Sequence, residues 1–184
     1  MYEVEIKSKL KDRETVVAKL ESLGCKFGPE LHQADHVFTP KGTFLPRSPL
    51  GSPALRVRKQ NDKYIFTLKI SQSNHQDSIE REMEIGDGKM MIEILELMKW
   101  NKMPIVEKRR IKTNFKDMEI VLDTVENLGE FIEAEKIVTE ESREARAKIQ
   151  EELLDFLETV GIPREDQIID GKYDIMLYEK LNGR

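Results

Sequence analysis

The run Met1-Tyr2-Glu3-Val4-Glu5-Ile6-Lys7 opens the chain. In an extended backbone alternate side chains point to opposite faces, so Glu3, Glu5 and Lys7 share one face and Tyr2, Val4 and Ile6 the other. Two carboxylates about 7 Å apart along a strand, with an ammonium beyond them, suit a hard metal ion and an anion it carries. A single run of this kind is also what the wet side of any surface strand looks like. Later segments repeat it. Arg56 and Arg58 share a face, as do Thr67 and Lys69, and Glu80, Glu82 and Glu84. Lys108, Arg110 and Lys112 share another, Asp123 opposes Leu122, and Glu133 and Glu135 share a face with Phe131.

These residues need strands to hold them. Alternation predicts strands over 2–10, 30–39, 54–60, 63–70, 78–85, 104–114, 118–125 and 129–138, with hairpin turns at Asn61-Asp62 and Lys116-Asp117. Helical spacing predicts a helix over about 12–23, capped by Asp12 and ended at Gly24. Asp87 starts a second helix through about Trp100, with Met91, Ile94, Leu95 and Met98 facing inward. A long helix over about 140–160 stops at Gly161 and Pro163, and a short one follows over 171–181. Residues 41–53 hold Gly42, Pro46, Pro49, Gly51 and Pro53 and read as a loop carrying Lys41 and Arg47, a long hairpin connection or a lid over an anion. The strand–helix–strands order occurs twice, a weak internal echo.

The 184 residues fit one domain spanning 1–184. A chain of this length buries roughly 70% of its unfolded surface. At 39% hydrophobic and 35% charged it is globular, and a net charge of −5 disfavours nucleic acid as a general partner. Cys25 is the only cysteine, which excludes an internal disulfide and argues against a cysteine zinc site. His32, His36 and His75 are expected to be structural or surface groups, since hard metals prefer oxygen. With no apolar run long enough to span a bilayer and no leader-like start, the expectation is a soluble cytoplasmic protein with no membrane partner.

Strands with one charged and one apolar face allow two architectures. An open sheet could cover one face with helices and leave the other in water. A barrel could carry helices outside and charge inside. Three clear helices and many strand edges favour closure. A lumen lined with cations and carboxylates is expensive unless they pair or bind something, and a polyanion with a divalent metal would satisfy both sets.

The ordered series Glu3-x-Glu5-x-Lys7, Leu55-Arg56-Val57-Arg58, Thr67-Leu68-Lys69, Glu80-Arg81-Glu82, Glu107-Lys108-Arg109-Arg110, Val121-Leu122-Asp123 and Gly129-Glu130-Phe131-Ile132-Glu133-Ala134-Glu135 resembles the CYTH superfamily, the triphosphate tunnel metalloenzymes. It covers residues 1–138, with the C-terminal helices of 140–181 beyond it. The resemblance implies an α+β fold, an eight-stranded antiparallel β-barrel forming a tunnel, with helices outside. It implies that Glu3, Glu5 and one or both of Glu133 and Glu135 bind Mg²⁺ or Mn²⁺. Lys7, Arg56, Arg58, Lys69, Lys108 and Arg110 would clamp a triphosphate-bearing small molecule. Asp123, Glu80 and Glu82 would act in catalysis by orienting those cations or a water. Tyr173 falls in a segment that in the family often closes one tunnel end.

The activity so implied is metal-dependent hydrolysis of a nucleoside, thiamine or inorganic triphosphate. The alternatives are a class IV adenylyl cyclase and a non-catalytic polyphosphate or nucleotide binder. Class IV cyclases resemble one another in a His-Phe pair just before the ExExK strand, which this sequence lacks, so hydrolysis is the expectation. Glu135 resembles the triphosphatase pattern. The reading leaves room for a homodimer.

Overall fold

The computed structural model describes residues 1–42, 46, 48–139, 142–168 and 172–183. Arg47 and the expected start of the long helix at residue 140 lie outside them. Strands β1 (Tyr2–Lys9), β2 (Leu31–Thr39), β3 (Pro53–Gln60), β4 (Lys63–Ser71), β5 (Asp77–Ile85), β7 (Val106–Phe115), β8 (Met118–Val125) and β9 (Gly129–Val138) match the expected ones to within a residue or two. Alternation missed a two-residue strand, β6 (Asn101–Lys102), which pairs outside the main ladder with Phe38 and Thr39. Helices are α1 (Arg13–Ser22), α2 (Gly88–Leu97), α3 (Arg143–Thr159) and α4 (Tyr173–Leu181).

The main strands run β1-β5-β4-β3-β2-β7-β8-β9 and return to β1, and every pairing is antiparallel. The β2–β3 pairing, from Gln33 opposite Gln60 to Phe38 opposite Leu55, closes the ring. The result is an eight-stranded antiparallel barrel with helices outside, which leaves no long free edge. Both tight hairpins turn where expected, with Asn61 at φ 50° and Lys116 at φ 55°.

The hydrophobic core lies outside the ring. Val4, Ile6, Ile120, Leu122 and Ile132 point out of β1, β8 and β9 onto Leu20, Leu153, Phe156 and Leu157 of α1 and α3. Burying each such side chain contributes about 1.5–3 kcal/mol. Because one strand face is spent on this core, the period of two sends the other, charged face into the lumen. Asp12 caps α1 by accepting from Thr15 N at 3.1 Å, and Asp87 caps α2 by accepting from Met90 N at 2.9 Å.

The reading of α2 needs correction. The helix ends at Leu97, and Ile94 and Met98 are exposed, at 41% and 59%. Met91, Ile92 and Leu95 dock instead on Phe38, Val57, Leu55 and Phe66. Apolar residues occupy Met90, Met91, Ile92, Ile94, Leu95, Leu97 and Met98, so the pattern offers two faces, and a short helix against a sheet buries only one stripe. Gly88 selects the stripe by lying flat against the Tyr64 ring.

Helix α4 stands across one end of the ring. Its Tyr173 and Leu177 pack on Val106, Val125 and Phe131, the inward side chains at that end. The segment leading to it is bonded to the barrel, with Ile168 N donating to Lys7 O at 2.8 Å and Gln76 Nε2 donating to Ile168 O at 2.5 Å. The opposite end is open. There β1, β2, β4 and β8 begin and β3, β5, β7 and β9 end.

Candidate active site

The ring encloses a cavity of about 780 Å³. Glu3, Glu5, Lys7, Arg56, Arg58, Lys69, Glu80, Glu82, Lys108, Arg110, Glu133 and Glu135 all line it. Asp123 is the one expected site residue that does not. It is fully buried behind Arg110, accepting from Arg110 Nε at 2.7 Å and Nη2 at 2.5 Å.

The carboxylates separate into two groups. Glu3, Glu5 and Glu135 each offer an oxygen within 4.8 Å of the others. Their strands explain this, since Glu5 is directly opposite Glu135 in the β1–β9 ladder. Glu133 belongs elsewhere, with Lys7 Nζ at 3.1 Å and Arg110 Nη2 at 2.7 Å. Glu80 sits between Arg56 Nη2 at 3.1 Å and Lys69 Nζ at 3.3 Å. Glu82 stands at the half-exposed lip, accepting from Thr67 Oγ1 at 3.2 Å and Arg56 Nη2 at 3.4 Å.

Electrostatics follow this division. Burial, reinforced by Glu80 and Glu5 and opposed by Lys69, pushes the Glu3 carboxyl up to about 7. Burial and then the charges of Glu3, Glu133 and Glu5 push Glu135 well above the usual range. Burial also acts on Glu5, but Lys69 and Lys7 outweigh it and keep the group ionised. Glu133 is held well below the usual range because Lys7, Arg110 and Lys108 overcome its desolvation. The same contest, won by Lys69 and Arg56, brings Glu80 down to about 2. On the cation side, burial and then Arg110 lower Lys108 to about 8.

Sequence reasoning missed three lumen groups. Asp35 on β2 is buried and takes Arg58 in a two-point bond, Nε to Oδ1 at 2.6 Å and Nη2 to Oδ2 at 2.8 Å, with Lys108 Nζ at 3.5 Å. Burial raises its pKa, but Arg58 and Lys108 prevail and drive it far down. The parity of Gln33, Asp35 and Val37 on β2 was a usable signal. Lys172 and Asp174 flank Tyr173 at the start of α4 and line the cavity. Lys172 Nζ donates to Ser71 Oγ at 3.2 Å, and burial and then Lys69 lower it to about 8. No local pattern marks them, because a remote helix delivers them. Tyr173, expected at one tunnel end, lies there with its ring 4.2 Å from Lys7 Nζ and 5.0 Å from Lys108 Nζ. Burial and then the charges of Glu133 and Asp123 keep its phenol neutral. Arg56 Nε is buried without an acceptor among the described residues.

A closed antiparallel ring lined by preset cations, with an oxygen-only acidic cluster beside them, is a charged tunnel whose chemistry suits a polyanion. The chain belongs to the CYTH family, whose CYTH-domain model matches residues 1–171. A protein of Methanocaldococcus jannaschii named "putative adenylate cyclase" is 30% identical over 175 residues, 94% of this chain and 97% of the relative. A solved protein from Pyrococcus horikoshii OT3 superposes with a TM-score of 0.76 at 28% identity, over 95% of this chain and 98% of that one. A more distant Hippeastrum protein, described as a "putative adenylyl cyclase" that reveals a dominant triphosphatase activity, shares the fold with a TM-score of 0.59 and 20% identity, over 98% of this chain and 96% of that one. Among the described residues no helix is long and apolar enough to cross a membrane.

Proposed function

We propose that the protein is a divalent-metal-dependent phosphohydrolase that cleaves a triphosphate inside the tunnel. The observation that carries this reading is the gathering of Glu3, Glu5 and Glu135 within 4.8 Å, in the same cavity as Lys7, Lys69, Arg56, Arg58, Lys108 and Arg110. Burial first, and then the neighbouring carboxylates, push Glu3 and Glu135 toward their protonated forms. One ammonium, Lys69 Nζ, serves both Glu3 at 2.6 Å and Glu5 at 3.4 Å, so the charge of the three carboxylates is only partly offset, and the all-oxygen donors fit Mg²⁺ or Mn²⁺. Glu3, Glu5 and Glu135 would hold the ion, with Glu133 committed to Lys7 and Arg110. Such an ion offsets charge on phosphate oxygens and makes water more acidic.

The side chains do the rest. The Lys and Arg donors bind the phosphate chain, and Arg56 Nε has a free donor for it. Asp35, Asp123 and Glu80 hold Arg58, Arg110 and Arg56 in position before substrate arrives, so little reorganisation is left for the transition state. In this respect Asp123 and Glu80 are positioning residues. A water oxygen bonds to the terminal phosphorus while the bond to the bridging oxygen breaks, and Arg and Lys neutralise the leaving diphosphate. We assign the water's proton to the lumen carboxylates, with Glu82 at the lip, bonded to Thr67 and open to solvent, passing it on to bulk water.

A second reading is cyclisation, in which the ribose 3′-hydroxyl attacks the α-phosphorus and diphosphate leaves. It is supported by the name of the Methanocaldococcus jannaschii relative, whereas the activity described for the Hippeastrum protein supports hydrolysis. The test is ³¹P NMR of purified protein with ATP and, separately, inorganic triphosphate, with Mg²⁺ and then Mn²⁺. Orthophosphate is expected. Pyrophosphate with a cyclic-nucleotide resonance would replace hydrolysis by cyclisation, and line broadening without turnover would leave a binder.

A further inference from the structure

We propose that Asn74, Gln76 and Gln150 are positioning residues for the acidic cluster, and that together they fix the Glu5 peptide where the ladder between β1 and β5 gives out. Glu5's part as a metal ligand rests on the reading above; the way its strand is held does not.

The seam between β1 and β5 is the shortest in the ring. It has three facing pairs, Tyr2 with Ile79, Glu3 with Ser78 and Val4 with Asp77, whereas β1 faces β9 over eight. In an antiparallel strand each residue turns both its backbone groups to one neighbour, and the next residue turns its own to the other. Glu5 N donates to Gln76 O at 2.8 Å. Glu3, Glu5 and Lys7, whose side chains line the lumen, therefore turn their backbone groups toward the β5 side. The register of Glu3 with Ser78 makes Glu5 with Gln76 the next pair, which in a regular ladder exchanges two bonds. Among the described residues only the first of them forms.

Side chains replace the second. Gln76 N donates to Asn74 Oδ1 at 2.8 Å, and Glu5 O accepts from Gln150 Nε2 of α3 at 3.4 Å. Asn74 Nδ2 donates to Gln150 Oε1 at 2.9 Å, and Gln150 Nε2 also reaches Asn74 Oδ1 at 3.3 Å. A ring of hydrogen bonds thus runs from Glu5 through Gln150, Asn74 and Gln76 back to Glu5. Gln76 extends it, because its Nε2 donates to Ile168 O while Ile168 N donates to Lys7 O. Arg146, one turn before Gln150 on α3, holds Asp77 on the same seam.

This ring bears on the cluster through the backbone. Glu5 faces Glu135 across the β1–β9 ladder, and their oxygens lie with that of Glu3 within 4.8 Å. Without the ring, β1 between Val4 and Lys7 would be held by β9 alone, and its carboxylates could roll away from Glu135. Among the described residues that line the cavity, Asn74, Gln76 and Gln150 do not appear, so they act on the strand and not on a ligand.

Gln150→Ala opens the ring from α3 and Asn74→Ala opens it from the loop, so one variant serves if the other fails to fold. Hydrogen exchange by NMR in EDTA should show the Glu5 amide exchanging about fivefold faster or more in each, as the loss of a supporting hydrogen bond allows. The Ile6 amide, which faces β9, should keep its wild-type rate. Titration with Mn²⁺ alone, read by electron paramagnetic resonance, should show Kd rising about tenfold. Gly88→Ala, which disturbs α2 against Tyr64, controls for general loosening and should bind Mn²⁺ as the wild type does. An unchanged Glu5 amide or an unchanged Mn²⁺ affinity would overturn the proposal, as would equal weakening in Gly88→Ala. If the wild type binds no Mn²⁺, the metal reading falls, and the placing of Glu5 is decided by the exchange rates alone.

Discussion

Glu5 carries two duties in one side chain. It is buried, ionised beside Lys69 and Lys7, and one of the three carboxylates of the acidic cluster. Glu5→Gln keeps the shape and removes the charge, so turnover should fall by at least about a hundredfold while the circular-dichroism spectrum persists. A rate near wild type would remove the cluster from the mechanism. Glu3 predicts a pH effect. Its folded pKa of about 7 lies above the ordinary carboxylate value, so the folded state binds this proton more tightly. Its contribution to stability is complete below about pH 4.3 and disappears as the pH rises through 7. Glu133 and Glu80 shift downward and act in the opposite sense, at lower pH. Metal-free Glu3→Gln should therefore gain on the wild type between pH 5 and 7.5, by at most about 3 kcal/mol. Parallel melting curves in EDTA across that range would exclude it. Arg58→Ala should raise KM, lower kcat and cost about 3–5 kcal/mol, since it strands Asp35 in the lumen wall. Denaturant titration and steady-state kinetics read the two effects separately.

At the scale of elements, α2 and α3 each meet the barrel at a specific contact that their packing depends on. In α2 it is Gly88, where an added Cβ would sit 2.0 Å from the Tyr64 ring. Gly88→Ala should force the helix off its stripe and cost about 1–3 kcal/mol. An unchanged melting temperature would mean that Tyr64 can swing aside. In α3 the tie is Arg146, whose guanidinium meets Asp77 of β5 with Nε to Oδ1 at 2.7 Å and Nη2 to Oδ2 at 3.1 Å, and stacks on Tyr2. Strand positions were legible because one face of each strand is spent on core, which imprints a period of two on β1, β3 and β9 alike. The α2 face was not legible, because seven apolar residues within Met90–Met98 satisfy either orientation and packing chooses. The two-residue β6 was also beyond reach, since two residues carry no period.

For the whole molecule, the lumen predicts linkage between metal and anion. Carboxylates whose charge Lys69 only partly offsets sit beside lysines and arginines already held for an anion, so each ligand improves the site for the other. Mn²⁺ and a triphosphate together should stabilise the fold by about 2.7 kcal/mol at a hundredfold excess over Kd, a shift of roughly 5–10 °C. Differential scanning calorimetry should show less from either alone, and EDTA should reverse the gain. Equal and additive shifts would separate the acidic cluster from the anion site.

The sequence by itself determined which faces carry charge, where the strands turn, and the ordered motif series that marks the family, because alternation and turn chemistry are local. Tertiary structure decided what no local pattern holds. Closure of β2 on β3 brought Asp35 onto Arg58, the strand register set Glu3, Glu5 and Glu135 apart from Glu133, and α4 delivered Lys172 and Asp174 from the far end of the chain. Those contacts join residues far apart in sequence, and only the closed ring brings them within bonding distance.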